Sequence, residues 1–174
     1  MTPNVVTALR ASLVALLTLL LMYPAAGRMM MWTALAIGSA AAILDAIDGW
    51  LARRTNSSSA FGARFDMETD AALILVLSLL AWWWGKVGPW VLAIGAMRYL
   101  FVAAGWILPW MGGHLTPTWR GKAVAVVQMV TLIVCLAPIV PVWLSTGCAA
   151  GALALLLWSF AIDVGRLWRA RAIS

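Results

Sequence analysis

Charged residues are scarce in this sequence. Asp, Glu, Lys and Arg together make up only 10% of its 174 residues, whereas a soluble domain has about 25%. Hydrophobic residues make up 64%, and the mean hydropathy is +0.96. This composition excludes a water-soluble globule. It predicts one integral membrane domain over residues 1–174, surrounded by membrane lipids.

Cysteine and histidine are also rare. Cys135 and Cys148 both lie in apolar stretches, and the one histidine, His114, follows two glycines without cysteine or histidine at ligand spacing. A disulfide framework or a zinc site needs more such residues at short regular spacings. We therefore interpret the cysteines as small core residues and His114 as a solvated loop residue.

Long apolar runs fill most of the chain. A helix needs about 20 mostly apolar residues to cross a bilayer, and proline, glycine or polar residues separate six such runs. They cover residues 5–23, 30–54, 60–85, 89–109, 119–138 and 141–166. The pattern predicts an all-α integral membrane protein with six transmembrane helices and both termini on the same side.

The basic residues are unevenly distributed along these runs. If the loop at residues 53–60 is cytoplasmic, nine basic residues lie on its side and only Arg28 and Lys86 lie on the other. Positive charge accumulates on the cytoplasmic side of membrane proteins. The bias predicts cytoplasmic termini in the inner membrane. It also accounts for the net charge of +6 without nucleic-acid binding.

Five of the six acidic residues lie between residues 45 and 70. Asp45 and Asp48 are three apart, and Asp66 and Asp70 are four apart, so each pair shares one helix face. Glu68 points elsewhere. A short loop joins the two helices, which brings the four aspartates together at the cytoplasmic end of the bundle. Carboxylates in membrane helices indicate a functional site.

Four neighbouring carboxylates cannot all stay charged without compensation. Either some are protonated or cations neutralise them. Hard divalent cations prefer carboxylate oxygens, and two Mg²⁺ ions would balance four aspartates. A two-metal site also suits in-line phosphoryl displacement, because it stabilises the attacking and leaving oxygens together.

The residues around the aspartates resemble the signature of the CDP-alcohol phosphotransferases. All eight signature positions are filled at matching spacings: Asp45, Asp48, Gly49, Ala52, Arg53, Gly62, Asp66 and Asp70. The predicted six-helix layout extends the resemblance to nearly the whole chain.

This resemblance implies transfer of a substituted phosphoryl group from a CDP-activated alcohol, usually CDP-diacylglycerol, to a second alcohol, with release of CMP. Asp45, Asp48, Asp66 and Asp70 would hold two divalent cations, Mg²⁺ or Mn²⁺, and Asp70 would also act as general base. The CDP pocket would be lined by Gly49, Ala52, Arg53 and Gly62. Members of the family are commonly homodimers, so the resemblance implies a homodimer here.

The N-terminus adds a polar stripe. Asn4, Thr7 and Arg10 follow one another at intervals of three and resemble family positions at the entry of the first helix. In one interpretation, Asn4 and Thr7 form a wall of the CDP site. In the other, this is an interfacial helix start, and Arg10 reaches lipid head groups. The sequence is compatible with both interpretations.

The acceptor alcohol is indicated less directly. Arg98, Arg120 and Lys122 are the candidate acceptor-binding residues, because a phosphorylated acceptor needs fixed cations. The segment from residue 119 to 129 resembles phosphatidylglycerophosphate synthases, which favours glycerol 3-phosphate. Val124 and Ala125 depart from that subfamily, so inositol phosphate, serine, choline or another alcohol remain alternatives.

Two of these charged positions also have structural interpretations. Arg98 can neutralise a carboxylate or carbonyl instead of binding the acceptor. Asp163 lies three residues before Arg166, and we interpret the two as a surface ion pair.

Two other classes of function fit the sequence less well. A divalent-cation transporter would need polar groups through the membrane, but the run after Asp70 is entirely apolar, and the chain has no internal repeat. An inactive relative with a structural or lipid-binding role is disfavoured because all eight signature positions are filled.

Overall fold

The computed structural model describes residues 3–23, 27–55, 60–107 and 119–171. Its regular structure there is entirely helical, which confirms the all-α prediction. The helices are α1 Pro3–Leu19, α2 Arg28–Thr55, α3 Ala60–Trp83, α4 Leu92–Ile107, α5 Trp119–Leu136 and α6 Val142–Arg171, with 3₁₀ turns at Leu20–Met22 and Pro89–Val91. His114 lies outside the described residues.

Each predicted apolar run corresponds to one helix, with shifted ends. The run at 89–109 begins as a 3₁₀ turn, whose first residue is Pro89. The last helix continues five residues beyond the predicted end at Arg166, to Arg171. Proline suits a first turn because the amide it lacks would have no helical partner there.

Three described helices are long and apolar enough to cross a membrane. The qualifying segments are Arg28–Ile47, Trp119–Leu136 and Val142–Arg166. Shorter apolar segments cover Val6–Met22 and Pro89–Ala104, and α3 combines three acidic residues with an apolar second half. The chain therefore has the helices of a membrane protein. That all six cross the bilayer stays a prediction.

Helix α3 is the central element of the bundle. It packs against α1, α4 and α5, while α2 contacts α1 and α5, and α6 contacts α5. Leu73, Leu77 and Leu80 are almost fully buried and repeat at helical spacing along α3. Leu132 and Leu136 of α5 are fully buried in the same core.

The two cysteines differ in their environment. Cys135 is fully buried, as predicted, but Cys148 is exposed on α6, so its assignment to the core was wrong. Lipid tails are as apolar as a protein core. An apolar sequence context therefore does not distinguish a membrane-facing position from a buried one.

A glycine ends α3 on the side away from the aspartates. Gly85 adopts φ +67°, a conformation that glycine tolerates best. Its amide donates to the carbonyl of Trp82 at 2.9 Å, and the amide of Lys86 donates to that of Ala81, also at 2.9 Å. This pair of bonds is a Schellman motif, which satisfies the last carbonyls of the helix.

Two long side chains then connect this end of α3 to its neighbours. The indole of Trp84 donates to the Tyr23 carbonyl at 3.1 Å, after α1. The ammonium of Lys86 donates to the Val140 carbonyl at 2.7 Å, between α5 and α6. Lys86 is buried, so it joins helix ends instead of lying free at the membrane surface.

The backbones of α3 and α4 approach closely at Gly95. A Cβ atom there would lie 2.7 Å from Leu75 Cα and 2.9 Å from Leu75 Cδ1. Small residues permit such approach between membrane helices. Because the nearer atom is backbone, a larger residue would force the helices apart.

We expect Gly95→Ala to reduce the free energy of unfolding by about 1–3 kcal/mol, as overpacking does. Gly151→Ala on α6 is the matched control. Its new Cβ would meet nothing within 4 Å, and alanine raises helix propensity by about 1 kcal/mol. Thermal unfolding in detergent measures both. Equal melting temperatures for the two variants would contradict the close contact.

Candidate metal centre

Three helices converge where the sequence predicts two. Asp45 lies on α2, while Asp66 and Asp70 lie one turn apart on α3. Helix α1 packs against both helices and contributes Arg10. The aspartates therefore surround a residue from a third helix.

Arg10 bonds to all three of these carboxylates. Its Nη1 lies 3.0 Å from Asp45 Oδ1 and also donates to Asp66 Oδ1, while Nη2 donates to Asp70 Oδ1. The Arg10 side chain is 0% exposed. A buried guanidinium is costly unless it is paired and hydrogen-bonded. Arg10 therefore points into the cluster, and the interpretation that it reaches lipid head groups is wrong.

The three carboxylates have the geometry of a metal site. One oxygen from each of Asp45, Asp66 and Asp70 lies within 4.8 Å of the others. Their side chains remain 29%, 38% and 32% exposed, so a cation from solution can reach them. Hard carboxylate oxygens suit Mg²⁺ or Mn²⁺. The described donor set thus fits a divalent cation.

Several predicted site residues fall outside this description. Asp48 lies on α2, but its side chain is not among those described. The same applies to Gly49, Ala52 and Arg53 on α2, Gly62 on α3 and Asn4 on α1. Their predicted roles stay predictions.

Thr7 is described and lies close to the cluster. It is 6% exposed and precedes Arg10 by three residues on α1, which places both on one helix face. Two positions of the predicted polar stripe are therefore buried against the bundle. The burial of Thr7 and Arg10 agrees with the interpretation that this stripe lines a binding site. It does not agree with a helix start that is exposed at the membrane surface.

Arg98 pairs with Glu68, the acidic residue of α3 that does not share the face of Asp66 and Asp70. Its Nη2 bonds to Glu68 Oε1, which joins α4 to α3. Glu68 is 57% exposed and points away from the aspartates, as predicted. The ion pair supports the structural interpretation of Arg98, while its role toward an acceptor stays a prediction.

The charges near the start of α5 follow a different pattern from the predicted one. Arg120 Nη2 lies 3.9 Å from Asp163 Oδ1 on α6, whereas the sequence suggested a pair between Asp163 and Arg166. Packing of α5 on α6 brings Arg120 to this aspartate, and sequence spacing alone does not reveal that contact. Lys122 is exposed.

The contacts of Arg10 with the aspartates were not predicted. One signal was present: Arg10 is the only basic residue in the first apolar run. A basic residue inside a membrane helix is expected to pair with a carboxylate, and the acidic residues of this chain are concentrated at one place. Together, the lone basic residue in an apolar helix and the single concentration of acidic residues predict that Arg10 pairs with these aspartates.

Comparison with known proteins agrees with this site. The family model of CDP-alcohol phosphatidyltransferase matches residues 1–163. A CDP-diacylglycerol–glycerol-3-phosphate 3-phosphatidyltransferase of Pseudomonas fluorescens is 33% identical, over 95% of this chain and 89% of its own length. A protein of the same name from Salmonella choleraesuis is 31% identical, over 75% of this chain and 73% of its own.

A shorter match involves a relative with a different acceptor in its name. The CDP-diacylglycerol–inositol 3-phosphatidyltransferase 1 of Arabidopsis thaliana is 55% identical over 38 residues, which is 20% of this chain and 17% of that protein. Relatives named for different acceptors thus share similarity with this chain. Because the family model covers nearly all of it, the chain belongs to the CDP-alcohol phosphatidyltransferase family.

Proposed function

We propose that this protein transfers a phosphatidyl group from CDP-diacylglycerol to glycerol 3-phosphate in phospholipid synthesis, with release of CMP. The observation that carries the proposal is the convergence of Asp45, Asp66 and Asp70 within 4.8 Å, at positions that match the family signature. Two relatives that match 95% and 75% of this chain carry the name of this activity.

The chain's residues account for the main steps of such a reaction. The acceptor hydroxyl oxygen forms a bond to the phosphorus that bears diacylglycerol. The bond from this phosphorus to the bridging oxygen breaks, and CMP leaves with the electron pair. Asp70 takes the hydroxyl proton as general base. Two divalent cations, Mg²⁺ or Mn²⁺, held by Asp45, Asp48, Asp66 and Asp70, would stabilise charge on the attacking and leaving oxygens.

The CDP moiety would lie between α1, α2 and α3. Small residues let a flat base and ribose approach the backbone, and Arg53 would donate to a phosphate oxygen. The residues assigned to this pocket are Asn4, Thr7, Gly49, Ala52, Arg53 and Gly62. The burial of Thr7 beside Arg10 supports this placement.

A groove between α1 and α3 suits the lipid part of the donor. It is open, has a volume of about 340 Å³, and is lined by Ala11, Val14, Ala15, Thr18, Phe65, Glu68, Thr69 and Ala72. Ala11 follows Arg10 and Thr69 precedes Asp70 in the chain, so the groove lies on a neighbouring face of the two helices that carry Arg10 and Asp70. We assign it to part of the diacylglycerol chains, because its lining is mainly apolar.

The acceptor phosphate would meet basic residues at the start of α5. Arg120 is the best supported, since its Nη2 is buried without a hydrogen bond among the described residues and lies only loosely beside Asp163. Lys122 is exposed two residues later. Arg98 would contribute only by exchanging its bond to Glu68 for one to the acceptor.

We further propose six membrane spans with both termini cytoplasmic, and hence a multi-pass protein of the inner membrane. The distribution of basic residues and the three membrane-length helices support this topology. The aspartate cluster then faces the cytoplasm, where CMP is released. A homodimer, which the family resemblance implies, completes the proposal.

Purified protein with Mg²⁺ or Mn²⁺ and CDP-diacylglycerol should release CMP when glycerol 3-phosphate is added. Glycerol is the matched control, because it lacks only the phosphate. Bonds between charged groups contribute about 1.5–3 kcal/mol, so we expect kcat/KM to be roughly 10–100-fold higher for glycerol 3-phosphate.

The same assay includes inositol phosphate, serine and choline. Absence of CMP with every acceptor would contradict the transferase function. Equal kcat/KM for glycerol and glycerol 3-phosphate would contradict only the acceptor assignment.

Asp70→Asn should abolish turnover but retain most CDP binding, because the amide cannot accept the hydroxyl proton. Ser78→Ala is the control: it removes a polar group from the same helix two turns beyond Asp70, where the hydroxyl donates only to the Ile74 carbonyl, and it should retain kcat. Initial rates of CMP release and equilibrium dialysis with labelled CDP measure the two properties. Normal turnover in Asp70→Asn would remove Asp70 as the base.

A further inference from the structure

Arg10 occupies the carboxylates that a cation would need. Its two terminal nitrogens bond to Asp45, Asp66 and Asp70, the same three residues whose oxygens lie within 4.8 Å of one another. The Arg10 side chain is fully buried, whereas the three carboxylates are partly exposed. A divalent cation and the guanidinium would therefore share the same three carboxylates.

The guanidinium also supplies part of the charge that the cluster requires. One positive charge among three carboxylates lowers the net attraction for a further cation. Binding of a metal ion would also weaken the charge-assisted bonds that Arg10 now donates. Arg10 should consequently reduce the affinity of the cluster for divalent cations when no substrate is present.

A displaced Arg10 would need another anion. Its side chain is fully buried, and its Nε is buried without a hydrogen-bond partner among the described residues. Beside divalent cations, an unpaired guanidinium would be repelled and poorly solvated. The diphosphate of a nucleotide donor offers oxygens that a guanidinium can bind through two parallel bonds.

We propose that Arg10 couples metal binding to donor binding: it holds Asp45, Asp66 and Asp70 while the site lacks metal, and it turns to the donor's diphosphate when cations and nucleotide bind together. This inference rests on the proposed function, since it concerns the same site. The coupling is reciprocal, so metal strengthens nucleotide binding by the same factor as nucleotide strengthens metal binding.

Mn²⁺ binding to the purified full-length chain, measured by electron paramagnetic resonance, tests this. Arg10→Gln removes the competing charge, and we expect its Kd for Mn²⁺ without nucleotide to fall about tenfold or more, within the usual range of coupling. Addition of CDP should lower the Kd of the wild type by a similar factor and that of Arg10→Gln much less. A sample without protein corrects for the complex of Mn²⁺ with CDP.

Arg28→Gln is the matched control. It is the same substitution at an exposed arginine, at the start of the helix that carries Asp45 and about 26 Å along it. Its Mn²⁺ affinity should equal that of the wild type. Unchanged or weaker Mn²⁺ binding by Arg10→Gln would overturn the proposal, as would an equal gain in Arg28→Gln.

Loss of folding in Arg10→Gln is also informative. If the variant can be purified only with Mn²⁺ present, the metal replaces the guanidinium and the proposal is supported. If Mn²⁺ does not restore it, Arg10 has a structural role that a cation cannot fill, and the proposal is overturned.

CMP release by the same wild-type preparation separates the two proposals. Tighter Mn²⁺ binding by Arg10→Gln with no CMP release from the wild type would contradict the proposed function alone. CMP release with unchanged Mn²⁺ binding would contradict the coupling alone.

Discussion

The interaction between Arg10 and three aspartates determines how this site can work. A buried guanidinium needs partners, and clustered carboxylates need positive charge. Each therefore lowers the free-energy cost of burying the other in an apolar protein. The contacts join α1 to α2 and α3. The same contacts mean that a metal ion would compete with a resident cation, so we expect the ligand-free and substrate-bound sites to differ in their arrangement of charges.

The rest of the bundle keeps these three helices in place. Helix α3 is held along its length by buried leucines and by the close contact at Gly95. At its far end, Trp84 and Lys86 bond to carbonyls that follow α1 and α5. Asp66 and Asp70 therefore project from a helix that is fixed on three sides. Fixed ligands suit metal-assisted chemistry, because little reorganisation is needed when charge develops.

Much of this arrangement could be predicted from the sequence. Apolar runs of membrane length predicted the six helices, and the spacing of Asp66 and Asp70 predicted their common face. The errors share a cause: Cys148 and the partner of Asp163 depend on which face of a helix meets protein and which meets lipid, and both environments are apolar. The role of Arg10 depends on contact between helices that are distant in sequence, which local spacing does not encode.

Anomalous scattering from crystals grown with Mn²⁺ and CDP tests the central claim most directly. We expect manganese within about 2.0–2.6 Å of carboxylate oxygens of Asp45, Asp66 and Asp70, with the Arg10 guanidinium bonded to phosphate oxygens of CDP. Manganese bound away from these aspartates, or Arg10 still bonded to all three of them beside bound CDP, would contradict it.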